Sequence, residues 1–144
     1  MLSGRSVLLA LVLTSAGCGG SFLGLNGTRV IGNIGAAGNQ QVIQAPATAQ
    51  YGQAFEVTVT TFGDSCVQPA GADVATNGAT VTITPYDVRR DGTCLDYNAP
   101  YPRSVKVRFN VVGTDTLRVK GRNDSGDIVT TDRLVDITPA VILN

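Results

Sequence analysis

Cysteine has the most distinctive chemistry of any side chain in this 144-residue sequence, where it occurs three times. Cys18 has the most informative surroundings. It follows a basic residue at Arg5, an apolar run from Val7 to Leu13 and the small residues 14–17. A charged start, a short apolar stretch and a small-residue cleavage zone form the pattern of a secretory signal. The chain is therefore predicted to be exported, with residues 1–17 acting as a signal peptide that is removed.

A cysteine placed directly after Ala16-Gly17 resembles the lipobox of bacterial lipoproteins. In that family the thiol is diacylated and becomes the new N-terminus. The resemblance implies a lipid on Cys18, a membrane as partner and a place in the cell envelope, as an outer-membrane lipoprotein facing the periplasm or the cell surface. It also explains the odd cysteine count, because it leaves Cys66 and Cys94 for each other. An oxidising compartment favours a disulfide between them.

Two other interpretations of this N-terminal region stay open. Residues 14–16, Thr-Ser-Ala, also fit an ordinary signal-peptidase site, which would give a soluble secreted protein. The uncharged window 6–28 has the length of a membrane span, but it contains five glycines and its dense apolar part ends near Leu13. A spanning helix needs about 20 mostly apolar residues. The lipid anchor is the preferred interpretation.

Composition argues against several classes of function. The sequence has no histidine, which is the commonest general base and the commonest metal ligand. We therefore predict a protein that is not an enzyme and needs no cofactor or metal. Once Arg5 leaves with the signal, ten basic residues face eleven acidic ones, which gives no electrostatic footprint for nucleic acid. The oxygen-rich segment Asn123–Asp127 lacks the ligand spacing of a calcium loop and predicts a hairpin turn.

Tyrosines and charges concentrate in the segment 85–102, PYDVRRDGTCLDYNAPYP. We interpret this segment as a long loop, and loops carried by a rigid scaffold are where binding residues gather. Tyrosine rings offer flat apolar faces with a polar tip, which suits a glycan or a protein partner. The candidate ligand-binding residues of this loop are Tyr86, Arg89, Arg90, Tyr97 and Tyr101. The alternative interpretation is that the loop folds its tyrosines over the end of the domain.

Short runs with alternating apolar and polar residues recur along the chain, which predicts an all-β domain. In the clearest run, 103–111, one face carries Val105, Val107, Phe109 and Val111, and the other carries Ser104, Lys106, Arg108 and Asn110. No run outside the signal has a helical period. The predicted strands, about seven in number, cover residues 28–34, 41–45, 54–62, 79–84, 103–111, 115–122 and 128–138.

This layout resembles the immunoglobulin-like domains of bacterial surface proteins. The resemblance lies in a first strand that ends at Pro46, an entry Tyr51–Val57 (YGQAFEV) and a late hairpin beginning Gly113–Val119 (GTDTLRV). It implies an immunoglobulin-like antiparallel β-sandwich over 41–144, after a Gly-rich tether with a short strand over 18–40. No tryptophan lies between Cys66 and Cys94 to pack on a bridge between sheets, so the bridge is expected to tie loops at one end.

Basic residues are frequent in two of the late strands. If the strands 103–111 and 115–122 pair with each other, these residues form one stripe, interpreted as solubilising charge on an exposed sheet face. Its members are Arg103, Lys106, Arg108, Arg118, Lys120 and Arg122. The whole resembles a small bacterial lipoprotein with one immunoglobulin-like domain. The leading hypothesis is a lipid-anchored binding or structural domain, and the alternative is a carbohydrate-binding module. The oligomeric state stays open.

Overall fold

A computed structural model describes residues 27–141, and all of its long elements are strands. Within this part of the chain no helix has the length and apolar character that crossing a membrane requires. Cys18, the predicted signal peptide 1–17 and the first part of the predicted tether lie outside the described residues. The strands are β1 Gly27–Ile31, β2 Ile43–Gln44, β3 Thr48–Gln50, β4 Ala54–Gly63, β5 Val67–Asn77, β6 Thr80–Arg90, β7 Ala99–Arg108, β8 Gly113–Arg122 and β9 Ile128–Thr138, with a 3-10 turn at Gly35–Ala37.

Two sheets are built from these strands. The larger has six strands in the order β1-β6-β8-β9-β3, with β5 on the other edge of β6, and the smaller has the order β2-β4-β7. The all-β prediction is confirmed, but the described chain has nine strands where about seven were expected. Most strand pairs are antiparallel, as expected, but β3 runs parallel to β9 and β6 runs parallel to β8.

The two sheets share one hydrophobic core. Alternate residues of the long strands point into it, because successive side chains of a strand lie on opposite faces. Phe55 and Phe109 stack at its edge with ring centroids 6.0 Å apart. The buried members of the core are Ile34, Val42, Ile43, Val57, Val59, Phe62, Val81, Ile83, Val107, Phe109, Leu117, Val119, Val135 and Ile137. Of the apolar face predicted for 103–111, Val107 and Phe109 are among them and Val105 packs against them from a partly buried position. Val111 lies beyond the end of β7 and is exposed.

Strand β5 has no counterpart among the predicted strands, and its sequence explains why. The strand VQPAGADVATN carries a proline, a glycine and several small residues, and its register shifts between Pro69 and Ala72. An edge strand tolerates a proline and a bulge that a central strand does not. In its far half, Asp73–Asn77, every residue is exposed, and even Val74 is 43% exposed. In its first half the partly buried positions are occupied by Gln68, Ala70 and Ala72, so the sequence shows no contrast between an apolar and a polar face.

The first strand fills a fork in the large sheet. β6 and β8 pair over Thr80–Ile83 and Thr116–Val119 and then separate, and β1 occupies the second half of the same edge of β6. Gly32 closes the fork, since its amide donates to the Pro85 carbonyl and its carbonyl accepts from Arg122. A Cβ at position 32 would overlap the Thr61 methyl group. Residues 28–34, predicted as a short strand within the tether, thus pair with the strands of the large sheet and belong to the folded domain.

A buried ionic network connects the two sheets, and we call its three side chains the inter-sheet clamp: Thr61 on β4, Asp87 on β6 and Arg103 on β7. The Arg103 guanidinium lies 2.5 Å from the Asp87 carboxylate, and the two side chains are 8% and 2% exposed. Arg103 also donates to the Thr61 hydroxyl and to the carbonyl of Tyr86. The Thr61 hydroxyl in turn donates to Asp87 over 3.1 Å.

The clamp also shows that the predicted basic stripe does not form. β7 lies in the smaller sheet and β8 in the larger one, so these strands never pair. Arg103 points between the sheets, while Arg118 lies outside and forms an exposed ion pair with Asp132 at 2.7 Å. That outer pairing lowers the pKa of Asp132, chiefly through the hydrogen bond from Arg118.

Replacing Arg103 tests the clamp. Arg103→Leu leaves the Asp87 carboxylate buried without its cation, so we expect the free energy of unfolding to fall by about 3–5 kcal/mol. Urea unfolding with the disulfide intact measures this. The matched control is Arg118→Leu, which removes an arginine of the same kind from an exposed pair and should change stability little. Equal unfolding midpoints for the two variants would contradict a stabilising role for the inter-sheet clamp.

A second buried carboxylate makes stability depend on pH. Asp115 on β8 is 1% exposed and its Oδ2 atom has no hydrogen-bond partner. Desolvation raises its pKa above the usual value near 3.8, so the folded state holds this proton more tightly than the unfolded state. Its contribution to stability is therefore greatest in acid and declines as pH rises through the folded-state pKa. Asp115→Asn stays neutral throughout. Its thermal midpoint relative to wild type should rise between pH 4 and pH 7, and a pH-independent difference would refute this.

Candidate functional site

Four connecting segments meet at one end of the two sheets, which we call the cavity end. They are the β4–β5 turn at 64–66, the β6–β7 loop at 91–98, the β8–β9 turn at 123–127 and the segment 32–37 after β1. The strand ends carry these segments, so a rigid framework positions them. Connections of this kind are where proteins usually place binding residues.

A disulfide fastens the β6–β7 loop at this end. Cys66 and Cys94 are bonded at 2.03 Å, with their Cα atoms 5.4 Å apart, so the predicted bridge is present and ties two connections, as expected. The cysteines are 28 residues apart in sequence. Closing a loop of this size stabilises a folded chain by about 3.5 kcal/mol in the chain-entropy model.

Two further attachments hold the same loop. The Leu95 amide donates to the Ser65 hydroxyl over 2.8 Å, next to the disulfide in the β4–β5 turn. At the other end of the loop, the Asn98 side chain donates to the Ala36 carbonyl over 2.7 Å. The loop is therefore fixed at three places to segments on both of its sides. Asp96 and Tyr97 lie between these attachments, in the loop and outside any strand.

The segments of the cavity end surround an open cavity of about 450 Å³. Its volume lies within the range of small-molecule sites, but its lining is more polar than is usual for them. Three aspartates, two arginines and two asparagines share the lining with two aromatic rings, those of Phe62 and Tyr97. The lining residues are Asn33, Ala36, Phe62, Gly63, Asp64, Val67, Arg89, Asp96, Tyr97, Asn98, Arg122 and Asp124.

Asp64 organises one wall of this cavity. Its Oδ1 atom accepts from the Cys66 amide at 2.9 Å, and its Oδ2 atom accepts from the Arg89 guanidinium at 2.8 Å. The Tyr101 hydroxyl donates to the Asp64 carbonyl at 2.7 Å, behind the cavity. Both carboxylate oxygens are thus engaged, and the carboxylate positions Arg89 against the cavity.

The opposite wall is held by Asn33 and Arg122. The buried Asn33 amide donates to the Asp124 carboxylate at 2.6 Å, while its oxygen accepts from the backbone of the 3-10 turn. Arg122 donates through Nε to the Ile31 carbonyl at 2.7 Å, which fixes the guanidinium beside the fork. Both walls therefore present planar polar groups whose orientation is set by hydrogen bonds.

The five candidate binding residues named from the sequence separate into three places. Arg89 and Tyr97 line the cavity, and the Tyr97 side chain is 48% exposed. Tyr101 is half-buried behind it, where desolvation and a hydrogen bond with Tyr97 raise its pKa. Tyr86 and Arg90 lie on the outer face of the large sheet. The tyrosines therefore do not form one shared platform.

The outer-face pair has partners of its own. The Arg29 guanidinium lies 3.7 Å from the centre of the Tyr86 ring, a cation–π contact. A hydrogen bond with Asp73, followed by desolvation, raises the pKa of the Tyr86 hydroxyl. Arg90 donates to the Gln68 side chain at 2.8 Å.

The segment 85–102 was interpreted as one loop, which is wrong: its ends belong to β6 and β7 and only 91–98 connects them. Alternation along β6 sends Tyr86 and Arg90 outward.

Several cavity residues were not singled out from the sequence as ligand-binding residues: Asn33, Asp64, Asp96, Asn98, Arg122 and Asp124. They come from four separate stretches of chain, and only the closing of the sheets brings them together. Asp96 and Asn98 flank Tyr97, so proximity in sequence was a usable signal for them. Asn33 and Arg122 carry no such signal, because the parallel bridge between them depends on the fork.

One group of side chains has metal-ligand types. Atoms of Asp64, Cys66 and Cys94 lie within 4.8 Å of one another. The two sulfur atoms are bonded to each other, and it is the free thiolate that binds metals. In its disulfide form this group therefore supplies a single carboxylate and does not make a metal centre.

A second depression of about 560 Å³ lies against the smaller sheet. It is lined by glutamine, threonine and proline side chains without a charge: Gln40, Gln41, Gln44, Thr58, Thr60, Pro100 and Pro102. Although it is larger, none of the side-chain hydrogen bonds described above orients its lining. The cavity at the disulfide end is therefore the stronger candidate.

Comparison of this chain with protein families, with curated proteins and with solved structures finds no match.

Proposed function

We propose that this chain is a lipid-anchored domain of the cell envelope that acts by binding a ligand at the cavity end, without catalysis. The observation that carries the proposal is the polar cavity itself, whose walls are oriented by hydrogen bonds and whose outer loop is fixed by a disulfide. A site ordered before its ligand arrives loses little entropy on binding. That is the arrangement expected of a recognition site.

The anchor and the location are supported from two directions. The sequence places Cys18 at the lipobox position, after a signal over 1–17. The disulfide between Cys66 and Cys94 uses the other two cysteines and is typical of an oxidising compartment. An outer-membrane lipoprotein that faces the periplasm or the cell surface combines both features.

Binding fits the cavity better than catalysis does. The Asp64 carboxylate has both oxygens engaged, and Asp124 accepts from Asn33, so these groups act as fixed acceptors. The sequence has no histidine to move a proton between them. The only cysteines among the described residues are joined to each other. These groups can orient a polar ligand, whereas an acid–base pair needs carboxylates that exchange protons with the substrate.

The immunoglobulin-like assignment belongs to the same proposal. Its support is the first-strand region, which changes sheet at Pro46: β2 pairs with β4 in the smaller sheet and β3 pairs with β9 in the larger. The β4–β7 pair and the β8–β9 hairpin occupy opposite sheets, as equivalent strands do in such domains. The departure is the parallel β6–β8 contact, which places β6 between β8 and β5.

A cysteine replacement tests the anchor. Cys18→Ser removes the thiol that would carry the lipid, so we expect the domain to move from the membrane fraction to the soluble exported fraction. Fractionation of a bacterial host that processes lipoproteins measures this. The control is the double variant Cys66→Ser, Cys94→Ser, which lacks the other two thiols and should remain with the membrane. Membrane retention of the Cys18→Ser protein would rule out the anchor.

Carbohydrate is a second, more specific candidate for the ligand, and the placement of Tyr97 favours it. This ring stands beside Arg89, Asp96 and Asn98, so an apolar face and planar polar groups border the same cavity. Sugars present apolar C–H faces edged by hydroxyl groups, which match such a combination of aromatic and polar side chains.

A matched pair of tyrosine variants tests the carbohydrate candidate. Tyr97→Ala removes the ring at the cavity, whereas Tyr51→Ala removes a ring of similar exposure, 44% against 48%, from the turn between β3 and β4. On a glycan array or in a polysaccharide pull-down, we expect the first variant to lose binding at least about tenfold and the second to keep it. Equal binding by both variants would exclude Tyr97 as the contact.

A further inference from the structure

The chain enters the described domain at the cavity end. Gly27, the first residue of β1, pairs with Arg90, and the β6–β7 loop begins at the next residue. Arg89, one position earlier, lines the cavity. An N-terminal anchor would therefore connect to the domain at β1, which lies next to the strand that carries Arg89 of the candidate binding site.

The distance from that point to the anchor is limited by covalent geometry. Nine residue steps separate Cys18 from Gly27. A fully extended chain spans at most about 3.3–3.6 Å per residue, so this connection reaches no further than about 30 Å. If Cys18 carries a lipid, the cavity end lies within that distance of the bilayer surface.

The same short connection makes contact between the opposite end of the domain and the bilayer unfavourable. β7 runs from the cavity end to the far end over ten residues, about 33 Å at the usual rise of a strand. With the far end on the membrane, Gly27 would stand at that height. The connection would then have to be fully stretched, which is the least probable state of a chain because it leaves almost no conformational freedom.

Two exposed side chains at the cavity end suit a membrane interface. Leu95 is 68% exposed and Tyr97 is 48% exposed, and both belong to the loop that the disulfide fixes. Aliphatic side chains and tyrosine rings are favoured at the boundary between lipid headgroups and acyl chains. Arg89, Arg90, Asp91 and Asp96 flank them with balanced charge, so nothing here requires an anionic lipid.

From these observations we propose that the loop 91–98 contacts the bilayer that holds Cys18, with Leu95 and Tyr97 at the interface. The proposal rests on the lipid anchor of the proposed function. Each contact is weak by itself, but the anchor makes the second contact intramolecular and so raises its effective concentration. The cavity then opens toward the membrane, and its ligand is bound at the membrane surface.

The absence of tryptophan from the sequence allows a direct test. Leu95→Trp and Val112→Trp each introduce one reporter at an exposed apolar position, the first at the cavity end and the second in the β7–β8 connection at the far end. Both variants are prepared as the lipidated full chain in vesicles of phosphatidylcholine and phosphatidylethanolamine. A fraction of the acyl chains is brominated, because bromine quenches tryptophan on contact.

We expect the emission of the Leu95→Trp protein to shift to shorter wavelength and to be quenched, while that of the Val112→Trp protein keeps its position and intensity. Flotation of the vesicles is measured on the same samples. Flotation without quenching at position 95, or with equal quenching at both positions, overturns the orientation and leaves the anchor intact. If the processed protein does not float, the anchor is refuted, and the orientation that depends on it is refuted as well.

Discussion

The geometry of the domain depends on one charged contact in its interior, between Arg103 of the smaller sheet and Asp87 of the larger. A buried guanidinium and carboxylate are costly apart and acceptable together, so the two strands that carry them have one favourable relative position. Thr61 and the carbonyls of Tyr86 and Gly71 accept from the two terminal nitrogens of the guanidinium, whereas its Nε atom has no hydrogen-bond partner among the described residues. The bulge in β5, next to Gly71, provides one of these acceptors.

The clamp also determines where the cavity forms. Beyond Thr61 and Asp87, β4 and β6 continue to Gly63 and Arg90, and their ends carry the two connections joined by the disulfide. Gly32 passes over Thr61 and Asp87 because it has no side chain, which brings Asn33 to Arg122 across the fork. Along β4 and β6, the inter-sheet clamp is thus followed by the polar cavity. The apolar core occupies the rest of the space between the sheets.

The sequence predicts the strands whose two faces differ and misses those whose faces do not. β4 and β8 are found close to their bounds because their apolar residues alternate, and β9 because it is rich in β-branched residues and follows the turn 123–127. β5 is missed because its partly buried positions carry Gln68 and alanines and its second half is exposed on both faces, and β3 because three residues are too few to show a period. Arg103 shares its parity with Val105 and Val107, so the same alternation places it between the sheets. Site prediction is weaker: Arg89 and Tyr97 come from one segment, whereas Asn33 and Arg122 meet only through the parallel pairing of β6 with β8.

The way β1 is inserted has a mechanical consequence. Its five residues form an antiparallel ladder with Tyr86–Arg90, and Gly27 is the N-terminal end of this ladder. A pull on Gly27 along the direction of the strand acts parallel to the ladder and loads all five residue pairs at the same time. If the pull were perpendicular to the strands, the pairs would open one after another. The first strand thus resists tension in shear, and the fork behind it, closed by Gly32 and Arg122, distributes that load between β6 and β8.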